Sequence, residues 1–156
     1  CFSHPEILQT QLRAAIRTSA YGRLQIMFPM VSSLEDIRKA QNIVRETMQE
    51  LDARGMEYDN DIKIGIMIEV PSLAIMADLV AKEVDFASIG SNDLTQYVCA
   101  ADRMNAVMEP YYQTYSPAML RSKRCGSFSR FGSKEAKHEL CNAGSCQGRA
   151  VKAYYA

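Results

Sequence analysis

Hydrophobic and polar residues along the chain alternate between two spacings, one helical and one strand-like. Apolar residues recur at three- and four-residue intervals over 4–19 and over 32–55, which predicts two amphipathic helices. Three short apolar runs lie between and after these segments, and they predict buried strands: RLQIMFPM, IKIGIMIEV and VDFASIG. The first half of the chain is therefore predicted to alternate between helix and strand.

The rest of the chain extends this alternation. Residues 72–80 and 94–101 are predicted to be helical, and residues 104–117 are predicted to form a loop. Strands that alternate with helices predict a parallel sheet, because parallel neighbours need a crossover connection. Strands that are apolar on both faces fit either a (β/α)8 barrel or a doubly wound sheet. Only three strands are predicted, so the barrel alternative gives an α/β fold with about half of a (β/α)8 TIM barrel.

Two capping patterns compete for the start of the second long helix. Ser33 with Asp36, or Ser32 with Glu35, would each form a capping box. Gly55 is expected to end the helix, because glycine accepts the left-handed conformation that follows a helix C-terminus.

Composition divides the chain just after Arg121. Residues 1–121 carry 11 Lys and Arg against 16 Asp and Glu, a net charge of −5, whereas residues 122–156 carry 7 against 2, a net charge of +5. The overall charge is zero, which gives no indication of binding to nucleic acid or to a membrane surface. No apolar run approaches the roughly 20 residues of a membrane helix. We therefore expect a domain over 1–121, an irregular tail over 122–156 and no membrane insertion.

The five cysteines favour reduced thiols in a cytoplasmic protein over a disulfide framework, since their number is odd. The alternative is a zinc site in the tail, where His138, Cys141 and Cys146 are the nearest soft ligands. Their spacing lacks a paired C-x-x-C, so reduced thiols are the preferred interpretation.

Polar residues end two of the three predicted strands. Glu69 follows the run IGIMI, and Asn92 and Asp93 follow the run ASIG. Because the carboxyl ends of parallel strands meet at one edge, both carboxylates should face the same rim. Carboxylate oxygens suit Mg²⁺, which takes its remaining ligands from substrate and water. The sequence therefore makes Glu69 and Asp93 candidate Mg²⁺ ligands.

Each candidate also has a purely structural interpretation. Glu69 could be an acid paired with Lys or Arg, although a carboxylate after five apolar residues is costly to bury without a specific role. Asp93 could be the N-cap of the following helix, which spacing supports as well as it supports the metal role. Arg103 could grip a phosphate or carboxylate, but its spacing favours a solvated cation at a helix end.

Four segments, in order, resemble one enzyme family. IMFPM, IGIMIEVPS, VDFASIGSNDLTQY and AADRMN together are similar to enzyme I of the bacterial sugar phosphotransferase system, the phosphoenolpyruvate–protein phosphotransferases. NDLTQY followed by AADRMN favours this family over pyruvate phosphate dikinase and other phosphoenolpyruvate-using enzymes, which share parts of the pattern. The resemblance covers about residues 6–121.

The resemblance implies a (β/α)8 barrel that binds phosphoenolpyruvate and Mg²⁺. By the family pattern, Glu69 and Asp93 hold the metal, and Asn92 and Arg103 contact phosphoenolpyruvate beside Asp93. The substrate carries several negative charges, which Mg²⁺ and Arg would neutralise as the phosphoryl group leaves. The family passes this group to a protein histidine and then to a histidine phosphocarrier protein for sugar uptake.

Other parts of the family's site are not expected in this chain. Phosphate-gripping arginines from earlier strands, and the domain with the phosphorylated histidine, would precede Cys1. The chain is therefore expected to be a fragment that is inactive by itself. The family forms homodimers through this domain, an implication that truncation weakens. Two further interpretations stay open: a non-catalytic interaction or regulatory remnant, and a relative of pyruvate phosphate dikinase or phosphoenolpyruvate synthase.

The tail generates a testable prediction. The family's Cys-Gly-Glu motif, whose cysteine serves as a proton donor, is not found after Arg121. The segment NAGSCQG at 142–148 can be encoded as AAT GCG GGG AGC TGT CAG GGG, which reads Cys-Gly-Glu-Leu-Ser-Gly from its third base. We predict that residues from about 122 onward are an out-of-frame translation. Sequencing the gene tests this, and codons at 142–148 without that reading would refute it.

Overall fold

The computed structural model describes residues 4–126. In chain order the elements are α1 (Pro5–Thr18), a 3₁₀ turn (Ser19–Tyr21), β1 (Gln25–Phe28), α2 (Leu34–Ala53), β2 (Lys63–Ile68), α3 (Pro71–Ile75), α4 (Ala77–Val80), β3 (Phe86–Ile89), α5 (Ser91–Cys99), a second 3₁₀ helix (Ala106–Tyr111) and α6 (Pro117–Gly126). The predicted tail over 122–156 lies outside the described residues, apart from the end of α6.

The three strands form one parallel sheet in the order β1, β2, β3. In its register Phe28 lies beside Ile66, and Ile66 lies beside Ala87. Successive side chains of a strand point to opposite faces, and the face that carries these three residues packs against the helices. The prediction of an α/β fold with a parallel sheet is confirmed, although three strands do not close a barrel.

The hydrophobic core lies between this face of the sheet and the helices. Fully buried side chains come from the sheet and from all six α-helices of the described residues: Ile26, Ile66, Ile68, Leu12, Ile16, Ile37, Val44, Leu51, Leu73, Val80, Leu94 and Met119. Ile62, Ile64, Ile66 and Ile68 belong to this core or pack against it, because alternate residues of an extended segment point to the same face. Each fully buried aliphatic side chain contributes about 1.5–3 kcal/mol, which makes this layer the main source of stability.

A capping box fixes the start of α2. Ser33 Oγ accepts a hydrogen bond from the Asp36 N–H at 3.1 Å, and the Asp36 carboxylate accepts from the Ser33 N–H at 3.1 Å and from Ser32 Oγ at 2.8 Å. Burial alone would raise the pKa of Asp36, but these hydrogen bonds outweigh it and hold the pKa below its ordinary value. The box at Ser33 and Asp36 is confirmed, and Gly55, with φ 65°, follows the helix end as predicted.

The helix predicted over 72–80 is interrupted. It consists of the two short helices α3 and α4, which are separated at Met76, where the backbone has φ −94° and ψ 19°. The buried side chains on both sides, Leu73, Ala77 and Val80, still lie at roughly helical spacing, which is why the sequence predicts one element.

The loop predicted over 104–117 contains regular structure. A 3₁₀ helix begins after Asn105, whose side chain accepts a hydrogen bond from the Val107 N–H at 3.1 Å. Pro110 lies inside this helix and none of its residues is buried, so the sequence offers no apolar stripe to reveal it.

Helix α6 crosses the composition break at Arg121. It packs against α3 and α5, and Met119 is completely buried in the core. Met119 is the one buried residue between 117 and 124, so no periodic pattern indicates the helix in advance. The compositional boundary at Arg121 is therefore not the end of regular structure.

A close contact between neighbouring strands gives a prediction about stability. A Cβ added at Gly65 would lie 2.5 Å from Cε2 of Phe86, on the face of the sheet opposite the core. We expect Gly65→Ala to displace the ring and to lower the free energy of unfolding by about 1–3 kcal/mol, measured by urea denaturation. The matched control is Gly22→Ala, since a Cβ at Gly22 would meet nothing within 4 Å.

The cause of that loss can be separated from a backbone effect. In the Phe86→Ala background, Gly65→Ala should lower the free energy of unfolding by a smaller amount. The effects of the two substitutions should then depart from additivity by at least about 0.5 kcal/mol. Strictly additive effects would show that the ring is not responsible.

Candidate functional site

The central strand brings a carboxylate to the carboxyl edge of the sheet. Glu69 directly follows β2 and is only 3% exposed. Its Oε1 accepts a hydrogen bond from the Met30 backbone N–H at 2.6 Å. Met30 has φ 53°, in the left-handed region that non-glycine residues rarely adopt. The turn after β1 therefore reaches the end of β2 and holds one oxygen of Glu69.

The neighbouring strand β3 leads into α5 and supplies the second carboxylate. Gly90 is the N-cap residue of α5 and the helix begins at Ser91, so Asp93 is its third residue. The alternative in which Asp93 caps the helix is therefore wrong, because the first turn starts two residues earlier. As an acid in the first turn, Asp93 still complements the positive end of the helix dipole.

Arg103 lies at the same edge, in the segment after α5. Its Nη1 is 3.0 Å from Oδ1 of Asp93, and the two side chains are 39% and 32% exposed. The left-handed residue Ala100 ends α5, and the Arg103 N–H donates to Oε1 of Gln96 at 3.4 Å. Spacing alone favours a solvated cation at a helix end, whereas in the structure Arg103 is paired with a candidate ligand.

Asn92 occupies the second position of α5. Its side chain is exposed, and its backbone oxygen accepts a hydrogen bond from the Tyr112 hydroxyl at 3.0 Å. Tyr112 thereby connects the segment after the second 3₁₀ helix to the start of α5. Asn92 is thus an exposed residue of the first turn of α5, directly before Asp93.

The electrostatics of Glu69 show how closely these groups converge. Burial raises the pKa of Glu69, the hydrogen bond from Met30 lowers it, the neighbouring Asp93 carboxylate raises it, and the positive charge of Arg103 lowers it. The net effect is a raised pKa. Asp93 therefore pairs directly with Arg103, and both act on the charge of Glu69, although the three residues come from distant parts of the sequence.

Gly90 makes room for this arrangement. A Cβ at Gly90 would lie 2.7 Å from Oε2 and 2.8 Å from Cβ of Glu69, and 3.0 Å from Sδ of Met67. Such distances to Glu69 essentially never occur between a real Cβ and another heavy atom, so any other residue here would displace the Glu69 side chain.

The donor set fits a hard divalent cation. Glu69 and Asp93 offer carboxylate oxygens and interact with each other, and Mg²⁺ typically binds one or two carboxylates while its other ligands come from water and substrate. Within residues 4–126 no cluster of three or more His, Cys, Asp or Glu could hold a metal by itself. The pair is therefore suited to a shared site, not to an all-protein cage.

Sequence reasoning missed two backbone features of the site. Met30 lies in an apolar run and contributes its N–H, so its residue type carries no signal. Gly90 lies in the segment VDFASIGSND, where a glycine at a strand end could have suggested a close approach. Neither feature can be assigned without knowing which strand is adjacent.

Other features of the described residues lie away from this edge. A cleft of about 520 Å³ is lined by residues such as Ser19, Asp52 and Tyr58, and includes none of the candidate residues. Across 4–126 the structure contains no helix with the length and apolar character required to cross a membrane.

Comparison with known proteins shows which family the chain resembles. The family model described as "PEP-utilising enzyme, PEP-binding domain" matches residues 1–141. Proteins named phosphoenolpyruvate-protein phosphotransferase from Listeria monocytogenes and Bacillus subtilis are each 50% identical over 121 residues, which is 78% of this chain and 21% of the relative. One from Enterococcus faecalis is 51% identical over 115 residues, 74% of this chain and 20% of the relative.

The chain spans about a fifth of the length of the curated relatives it matches. Its own length is nevertheless mostly covered, by the family model and by relatives at half identity. The predicted resemblance is confirmed: the chain belongs to the phosphoenolpyruvate-utilising enzymes, through their PEP-binding domain, and is similar to the phosphoenolpyruvate-protein phosphotransferases.

Proposed function

We propose that this chain is part of the phosphoenolpyruvate-binding domain of a cytoplasmic phosphotransferase. The phosphotransferase moves the phosphoryl group of phosphoenolpyruvate to a protein histidine and on to a phosphocarrier protein, in support of sugar uptake. The observation that carries the proposal is the convergence of Glu69, Asp93 and Arg103 at the carboxyl edge of a parallel sheet. The names of the relatives supply the substrate and the reaction type.

Glu69 and Asp93 are the residues that would hold Mg²⁺. When bound there, the cation would neutralise negative charge on the phosphoryl group and on the leaving enolate oxygen. The buried position of Glu69 supports this role, because a carboxylate with a raised pKa and a like-charged neighbour gains most from a nearby cation.

Arg103 and Asn92 are the residues that would contact phosphoenolpyruvate. A guanidinium presents a planar set of donors that matches phosphate and carboxylate oxygens, and Arg103 is partly exposed. Asn92 is exposed and directly precedes Asp93, and its amide can donate to a substrate oxygen. Asp93 would take part in both metal binding and substrate binding. It pairs with Arg103, and its carboxylate acts on that of Glu69.

A (β/α)8 barrel is the architecture proposed for the complete domain. Buried residues of the helices join one core on a single face of the sheet, as the outer helical layer of a barrel requires. The opposite face carries Met27, Met67 and Ser88, which alternate with core residues and are themselves buried, as the inner layer of a barrel requires. The candidate site lies at the carboxyl ends of the strands, where barrel enzymes have their active sites.

The chain by itself is proposed to bind ligand without completing the transfer. The metal would be held by Glu69 and Asp93, and the substrate would be contacted by Asn92 and Arg103. No histidine is part of this constellation in the described residues, although the proposed reaction needs one as the phosphoryl acceptor.

The proposal predicts metal-dependent binding of phosphoenolpyruvate. Isothermal titration in the presence of Mg²⁺ should detect binding to the unaltered chain, and Asp93→Ala should weaken it at least about tenfold, since it removes a ligand. Arg103→Gln should weaken it by about 10- to 100-fold, the value of a charge-assisted hydrogen bond.

The matched control is a second ion pair far from the site. Arg38 and Glu83 form one of 2.7 Å, and Glu83 precedes β3, at the opposite edge of the sheet. Arg38→Gln and Glu83→Gln should leave phosphoenolpyruvate binding unchanged. Equal binding by the unaltered chain and Asp93→Ala would remove Asp93 from the site.

The raised pKa of Glu69 predicts how stability depends on pH in the absence of metal. The folded chain holds the Glu69 proton more tightly than the unfolded chain, so the contribution is fully present below the ordinary value of 4.5 and is lost as pH rises through the raised folded pKa. Urea denaturation in EDTA should therefore show the unaltered chain losing stability relative to Glu69→Gln as pH rises above 4.5.

Glu83→Gln provides a control of opposite sign. The hydrogen bond from Arg38 holds the pKa of Glu83 below its ordinary value, so Glu83 contributes stability above its unfolded pKa that is lost as pH falls. The unaltered chain should accordingly gain stability relative to Glu83→Gln as pH rises. The prediction would be contradicted if the stability difference between the unaltered chain and Glu69→Gln changed with pH in the same direction as the difference between the unaltered chain and Glu83→Gln.

A further inference from the structure

The Met30 backbone and the glycine at position 90 hold the Glu69 carboxylate in one orientation. Oε1 is taken by the Met30 N–H at 2.6 Å, and Oε2 lies against the open space at Gly90. The side chain is 3% exposed, so neither oxygen is positioned by bulk water. Its orientation is therefore set by the two neighbouring strand ends.

The register of the sheet explains why Gly90 is the critical neighbour. Ile68 pairs with Ile89, and the Gly90 N–H donates to the Ile68 backbone oxygen at 3.0 Å, so Glu69 and Gly90 are the next residues of adjacent strands. A side chain at position 90 would point into the space that Glu69 occupies. The absence of one lets Glu69 lie along the rim toward α5, where Asp93 is the third residue.

The second constraint on Glu69 comes from the left-handed backbone of Met30. A non-glycine residue with φ 53° is strained, and a strained conformation persists when surrounding interactions require it. Here that conformation follows Pro29 and directs the Met30 N–H at a buried carboxylate. Tertiary structure therefore accounts for a conformation that the residue type disfavours.

We propose that the Met30 backbone N–H and the bare Cα of Gly90 are positioning elements, which fix one oxygen of Glu69 and leave the other free to bind a divalent cation beside Asp93. The inference rests on the proposed function, because it concerns the orientation of a proposed metal ligand. It assigns a role in metal affinity to two residues that contact no ligand with their own side chains.

The test measures metal affinity directly, with no need for turnover. Mn²⁺ serves as a paramagnetic substitute for Mg²⁺, and the free ion is quantified by electron paramagnetic resonance in the presence of phosphoenolpyruvate. Gly90→Ala should weaken Mn²⁺ binding by about 10- to 100-fold, the effect typical of outer-shell residues that orient a metal ligand. Gly22→Ala, at a position with no neighbour within 4 Å, should bind Mn²⁺ as the unaltered chain does.

Two substitutions at Met30 separate its N–H from its side chain. Met30→Gly keeps the N–H and adopts positive φ without strain, whereas Met30→Pro removes the N–H and fixes φ near about −65°. Met30→Pro should therefore bind Mn²⁺ at least about tenfold more weakly than Met30→Gly. Equal affinities in the two variants would overturn the role of the N–H.

A metal-free measurement distinguishes displacement of Glu69 from general damage to the fold. In EDTA, Gly90→Ala should shift the urea midpoint more in the unaltered background than in the Glu69→Ala background, because the clash is with Glu69. Equal shifts would overturn the proposed contact.

The outcomes also separate this inference from the proposed function. If the unaltered chain binds Mn²⁺, Asp93→Ala does not, and Gly90→Ala binds as tightly as the unaltered chain, the proposed function stands and the positioning role is refuted. If the unaltered chain binds no Mn²⁺, both are refuted.

Discussion

The burial of the Glu69 carboxylate is the constraint on which this edge of the sheet depends. A carboxylate removed from water must recover its lost hydration from hydrogen bonds and nearby positive charge. Met30 provides the hydrogen bond and Arg103 the positive charge, while Asp93 acts in the opposite direction. The raised pKa of Glu69 shows that the compensation is incomplete. The left-handed turn at Met30 and the ion pair of Arg103 are both understandable as responses to that deficit.

Parallel topology determines which residues can respond. All three strands run in the same direction, so the segments that follow them emerge at one edge and their side chains come within contact distance. Residues 30, 69 and 93 are far apart in the chain, yet each lies shortly after the end of a strand. Local chain geometry then sets the details. The left-handed backbone of Met30 directs its N–H at Glu69, the missing side chain of Gly90 leaves room for that carboxylate, and Asp93 lies in the first turn of α5.

Sequence patterns predicted the features that depend on local periodicity or on residue type. Helix α2, its capping box at Ser33, the three strands and the carboxylate pair of Glu69 and Asp93 are of this kind. Helix α6 and the second 3₁₀ helix were missed, because one buried methionine in α6 and none in the 3₁₀ helix make no periodic pattern. Met30 and Gly90 could not be found from sequence either, since their contributions are a backbone N–H and an absent side chain.

A site built from unbalanced charge has a thermodynamic consequence for the whole chain. The ligand-free fold holds a buried acid beside a second acid, so part of its stability is given up at this edge. Any cation that binds there relieves both desolvation and repulsion, and a ligand that binds only the folded state stabilises it in proportion to its affinity. Ligand binding and folding are therefore coupled through Glu69. The same coupling makes its orientation matter: a carboxylate displaced from the rim would keep the cost of burial and lose the cation that offsets it.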